Sequence, residues 1–163
     1  MNLAGQTNAW HLARWGTLGW IETGVKFSAF VCAYVALASS ISTGWSTPDR
    51  VRVAELVLIG VATLGLLAAI GDRLVEREIV AMVFVCFNNL AHLALLASLV
   101  TTAGPGRLLT AFAVLMLCGE LVKIGFLRST GFTVRNAPAS TVIGLTAAYA
   151  LVYALAALVW VWR

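Results

Sequence analysis

Five apolar runs, each long enough to cross a bilayer, take up most of this 163-residue chain. They lie at roughly residues 18–41, 53–71, 79–100, 108–127 and 141–162, close to the ~20 residues that carry a helix across about 30 Å of hydrocarbon. A water-soluble core cannot absorb them. Hydrophobic residues make up 61% of the chain and charged residues 11%, where soluble domains carry roughly 25% charged residues. In lipid each backbone polar group must find its partner inside its own segment, so the runs are expected to be helical. The fold class is therefore all-α: a polytopic transmembrane helical bundle, one transmembrane domain over residues 1–163, with a short N-terminal interfacial segment.

The breaks between runs combine turn formers with charge: Ser46-Thr47-Pro48-Asp49-Arg50, Gly71-Asp72-Arg73 on to Glu78, Gly104-Pro105-Gly106-Arg107, and Ser129 to Ser140 around Pro138. All six tryptophans fall at the ends of runs, where an amphipathic indole prefers the membrane interface. Trp10, Trp15 and Trp20 flank the first run, Trp45 follows it, and Trp160 and Trp162 close the last. Ahead of Gly16, Trp10, His11 and Arg14 would share the surface of a short interfacial helix. The first run is expected to be retained as a span, because the stretch ahead of it is too long for a signal-peptide n-region and Glu22 makes it too acidic.

Five spans put Arg14, Arg73, Arg77, Arg128 and Arg135 on one side and Arg50, Arg52, Arg107 and Arg163 on the other. Basic residues are retained in cytoplasmic loops, so the count favours a cytoplasmic N-terminus in a cell (inner) membrane. The net charge of +4 is spread singly between the runs and forms no patch suited to nucleic acid. Cys32, Cys86 and Cys118 all lie inside apolar runs without metal-ligand or disulfide spacing, which suits small hydrophobes. No P-loop, nucleophile elbow, HExxH or dinucleotide fingerprint is present, so an ATP-driven machine or a hydrolase has no sequence support.

Helical spacing then sorts the runs into faces. Glu22, Lys26, Ala29, Ala33, Ala36 and Ser40 recur at intervals of three and four, a small and polar stripe that is expected to meet other helices. Similar stripes are expected at Glu55, Leu58, Ala62, Gly65 and Ala69, and at Gly144, Ala147, Ala150, Ala154 and Ala157. A faint echo links Gly19-Trp20-Ile21-Glu22 with Lys26 to Gly119-Glu120 with Lys123.

The groups able to carry chemistry are the intramembrane polar ones. Asn88, Asn89 and His92 sit near the middle of the third run; Glu120 and Lys123 share a face of the fourth; Glu55 lies near the outer end of the second, at its start. Ionisable side chains inside a bilayer cost about 2.5–3.5 kcal/mol each on insertion scales, so they are expected to point inward and to be paired. Glu22 and Lys26 fall at the same depth as Glu120 and Lys123, and cross-pairing of Glu22 with Lys123 and of Glu120 with Lys26 would neutralise all four. His92 can change charge near neutral pH, or can simply bond to a neighbouring Asn or carbonyl. No cofactor is identifiable, because a haem usually wants a second ligand and His11 lies outside the spans.

These residues suit a small transporter or channel for an ion, proton or small solute. They also suit a non-catalytic accessory or assembly subunit of a larger membrane complex. A quinone- or lipid-linked membrane enzyme would need a lateral pocket near His92. Besides lipid, the expected partner is a second copy or another membrane subunit. Water separates the first two readings: a transporter lines a hydrated cavity with such groups, and a scaffold keeps them paired and dry.

Overall fold

The computed structural model describes residues 16–76, 79–101, 106–130 and 138–162. The N-terminal segment with Trp10, His11 and Arg14 lies outside them. Five helices follow in order: α1 (Thr17–Ser40), α2 (Arg50–Glu76), α3 (Ile79–Leu99), α4 (Arg107–Thr130) and α5 (Ala139–Val161). All five are long and apolar enough to cross a membrane, and the protein is an integral membrane protein on that ground.

Four of the helices keep close to the expected limits. The second is longer at both ends. Asp49 caps it by accepting the Arg52 backbone N–H at 2.8 Å on Oδ1, the bond that an N-cap aspartate supplies to an unpaired first-turn donor. At its far end the chain stays helical through Gly71 to Glu76, because a glycine stops a helix only where it turns left-handed. Gly44, with φ of 85° and ψ of 176°, a backbone conformation open to glycine, ends the one-turn extension of α1 over Ile41–Thr43.

Neighbouring helices are set by which pairs pack along their length: α1 lies against α3 and α4, α3 also against α2, and α4 also against α5. The remaining pair, α2 and α5, meets over a short stretch only. The result is a ring with one thin seam. Its interior is lined by alanines where backbones approach, Ala29 and Ala33 from α1, Ala91 and Ala94 from α3, Ala113 from α4, and by the larger Leu95, Leu109, Phe112 and Met116. In lipid, small residues win association by close packing, since hydrophobicity gives helices no reason to leave the acyl chains. Leucines and valines such as Val57, Val61, Leu64, Leu151 and Leu155 face outward.

The α1 stripe is buried at each expected position, from Glu22 to Ser40. The other two stripes need correction. On α2, Ala62 is buried and Gly65, though exposed, packs closely against Tyr149 of α5, but Leu58 faces outward, and the inward positions are Ile59, Ala62 and Thr63. On α5, Gly144 and Ala147 face outward, and the buried line runs Thr146, Ala150, Tyr153, Ala157, Trp160. Trp162 is 86% exposed, as an interfacial anchor should be, but Trp160 is 5% exposed and packs inward.

At one end the connection after α1 is clasped to α3. Ser46 donates its N–H to the Val100 carbonyl at 3.0 Å, and Arg52 donates through Nη1 to Ser46 Oγ at 3.3 Å and to the Thr101 carbonyl at 3.1 Å. Spans joined by such short connections alternate in direction, so reporters fused before Gly16 and after Trp162 are expected to report opposite compartments. A shared compartment would overturn the span count.

Candidate functional site

The centre of the bundle is organised by one cation. Lys26, 1% exposed, donates through Nζ to Glu22 Oε1 at 2.8 Å, one turn back on α1, and lies 2.6 Å from Glu120 Oε1 on α4. The Phe84 ring of α3 offers its face to the same ammonium, 5.4 Å from the ring centre, a favourable place for a cation because the ring face is electron-rich. Three helices therefore converge on Lys26 Nζ.

Gly119 makes this possible. A Cβ at that position would lie 2.7 Å from Lys26 Cγ and 2.8 Å from Cε, so the lysine stem runs across bare α4 backbone on its way to Glu120. The expected pair between Lys26 and Glu120 is formed; Glu22, expected on Lys123, is bonded instead to the same Lys26 ammonium from its own helix. Lys123 is half-buried on α4, three residues beyond Glu120.

His92 occupies the core between α3, α4 and α5 and is fully buried. Its Nδ1 lies 2.7 Å from the Asn88 backbone carbonyl, which only accepts, so Nδ1 carries the proton. Its Nε2, 2.6 Å from the Tyr153 hydroxyl, is then the acceptor in the neutral ring and Tyr153 the donor. Phe112 packs edge-on against both rings. The expected bond to a carbonyl is present; Tyr153 was not anticipated. A tyrosine midway along an apolar run, one turn after Tyr149, departs from the usual interfacial placement, and that was the available signal.

The remaining candidates separate. Asn89 donates through Nδ2 to the Leu66 carbonyl of α2 at 3.2 Å and to the Val85 carbonyl at 2.9 Å, tying α3 to α2. Asn88, midway along α3, is buried one turn from Phe84. Glu55 stands apart near the start of α2, where it accepts the Trp160 indole N–H at 3.2 Å. Tyr149 donates to the Ala62 carbonyl at 2.8 Å across the thin α2–α5 seam.

Some core acceptors are left over. Asn88 Oδ1, Asn89 Oδ1 and Glu120 Oε2 have no hydrogen-bond donor among the described residues. All three are acceptors, so the core has more places to receive a proton-bearing group than it fills itself. No group of three His, Cys, Asp or Glu side chains among the described residues is arranged to hold a metal ion.

Because Lys26 serves two carboxylates, its removal should cost more than the loss of either. Lys26→Met is expected to lose about 3–5 kcal/mol of stability by stranding both acids, and Glu120→Gln less, since Glu22 keeps its partner. Adding Glu120→Gln to Lys26→Met should recover stability. Thermal unfolding in detergent of the two single variants and the double checks this, and simple additivity would reject the shared cation. Comparison of the chain with protein-family models, with curated proteins and with solved structures returns no match, so the chemistry of this core is read from its own geometry.

Proposed function

We propose that this membrane protein is a small transporter that passes a proton or a small proton-bearing cation through its polar core. The observation that carries the reading is the surplus of buried acceptors in a core that also holds a charged cluster: Asn88 Oδ1, Asn89 Oδ1 and Glu120 Oε2, none with a donor among the described residues. A buried acceptor left unsatisfied costs about 1–3 kcal/mol. A core built only to pack helices gains nothing from that cost, and a half-satisfied polar network is worse than an apolar one. A core that receives a donor during its working cycle recovers the cost at each visit.

In this reading the described conformation is closed to both sides. Glu22, Lys26, Asn88, His92 and Glu120 are each 7% exposed or less. Glu120 and Lys26 form the charged step of the path, and the neutral His92–Tyr153 pair, with Nδ1–H held on the Asn88 carbonyl and Nε2 accepting from the Tyr153 hydroxyl, packs beside it in the core. Access requires helices to part, and the α2–α5 seam, held at Tyr149, is the narrowest contact to break.

The accessory-subunit reading keeps one supporting observation, the dry and fully paired Lys26. A membrane enzyme acting on a quinone or lipid has less support, since both ring nitrogens of His92 are engaged and the ring is fully buried.

Reconstitution separates the readings. Vesicles holding the protein and a trapped pH-sensitive dye should dissipate a proton gradient faster than empty vesicles. Glu120→Gln should reduce that rate at least ~10-fold while the protein still unfolds cooperatively. Wild-type vesicles no leakier than empty ones, to protons or to small cations, would reject transport in favour of a subunit role. A stoichiometric companion in native purification would then be expected.

A further inference from the structure

The three groups around Lys26 Nζ describe a ligand as well as a lysine. Carboxylate oxygens at 2.6 and 2.8 Å from two helices and an aromatic face 5.4 Å away from a third are what a primary ammonium group requires: directional acceptors for its N–H bonds and a π surface for its charge. A hard metal ion would want a fuller shell of oxygens than this. Two buried core acceptors have no donor among the described residues: Glu120 Oε2, on the carboxylate that already meets the ammonium, and Asn88 Oδ1, with the two residues 3% and 4% exposed. Asn88 follows Phe84 by one turn on the face of α3 that meets the ammonium.

We infer that Glu22, Glu120 and Phe84 form a binding site for an external alkylammonium cation, and that Lys26 is a tethered occupant which such a cation replaces. The inference names a substrate class for the core that the transport reading uses, yet binding can be measured without flux. Gly119 gives the exchange its mechanical basis. The Lys26 stem crosses α4 over Gly119, where a Cβ would collide with it, so at that crossing no α4 side chain holds the stem in place. The unpartnered Glu120 Oε2 gives the arriving cation a further acceptor that Lys26 leaves unused.

A tethered group competes at a high effective concentration, so an external amine should bind weakly to the wild type and much better once the tether is cut. Lys26→Ala removes a three-carbon ammonium arm, and n-propylammonium matches what is lost. In detergent, millimolar n-propylammonium chloride is expected to raise the unfolding temperature of Lys26→Ala saturably by about 5 °C or more. Sodium chloride and n-propanol at equal concentration should not. The wild type should need at least ~10-fold more amine for a comparable shift, and the added change Glu120→Gln should abolish the response.

A folded Lys26→Ala that ignores the amine, or that responds as well to n-propanol, overturns the site. If the variant survives extraction only when the amine is present, and not with sodium, the site is supported; failure in both overturns it. Amine binding by Lys26→Ala alongside wild-type vesicles that pass no cation would support the site and reject transport.

Discussion

A lysine ammonium in hydrocarbon has no water to return to, so the structure around it must supply what water would have. At Lys26 that supply comes from Glu22 on the same helix, Glu120 on α4 and the ring of Phe84 on α3. The coupling runs in both directions. A buried ion pair is not a strong source of stability, because desolvation offsets most of the attraction, but it is intolerant of separation. It therefore fixes how α1, α3 and α4 stand relative to one another more firmly than apolar contact between interchangeable alanines can.

The small residues follow from the same requirement. A lysine side chain reaches a carboxylate on the next helix only if the backbones are close and the route is clear. Ala29 and Ala33 continue the α1 face beyond Lys26, and Gly119 lies directly under the lysine stem. Hydroxyls elsewhere are satisfied within their own helices, as in Thr63 to the Ile59 carbonyl, Ser98 to Ala94 and Thr146 to Val142, which leaves few polar groups free to compete for cross-helix partners. Among the described residues the interhelical polar contacts include the Lys26 cluster, His92 with Tyr153, Asn89 with the α2 backbone, and Tyr149 and Trp160 across the seam.

That distribution makes the bundle uneven. The α1, α3 and α4 side is held by charge and by close alanine packing, while α2 and α5 touch briefly and share two hydrogen bonds. The second region is the more weakly held side of the bundle. Tyr149 fits there because Gly65 leaves room for its phenol, so the contact depends on the absence of a side chain as much as on the hydrogen bond.

The sequence alone determined the five spans, their approximate limits and the inward face of α1. Those properties follow from the solvent and from local geometry: apolar length selects lipid, and the 3.6-residue period places Glu22, Lys26 and Ser40 on one line whatever they meet. It also made the pairing of Lys26 with Glu120 legible, since antiparallel spans put them at one depth. Only the tertiary structure decided that one ammonium serves two carboxylates and that His92 is held by Tyr153. It alone showed Asn89 bonding to α2 while Asn88 faces the core. The α5 face was misread for a physical reason: alanines and glycines occur all around that helix, so smallness marks no direction along it, and Gly144 and Ala147 ended toward lipid. Which small residue is inward, and which acceptor receives a donor, depends on the surface that arrives opposite it, and that surface is contributed by another helix.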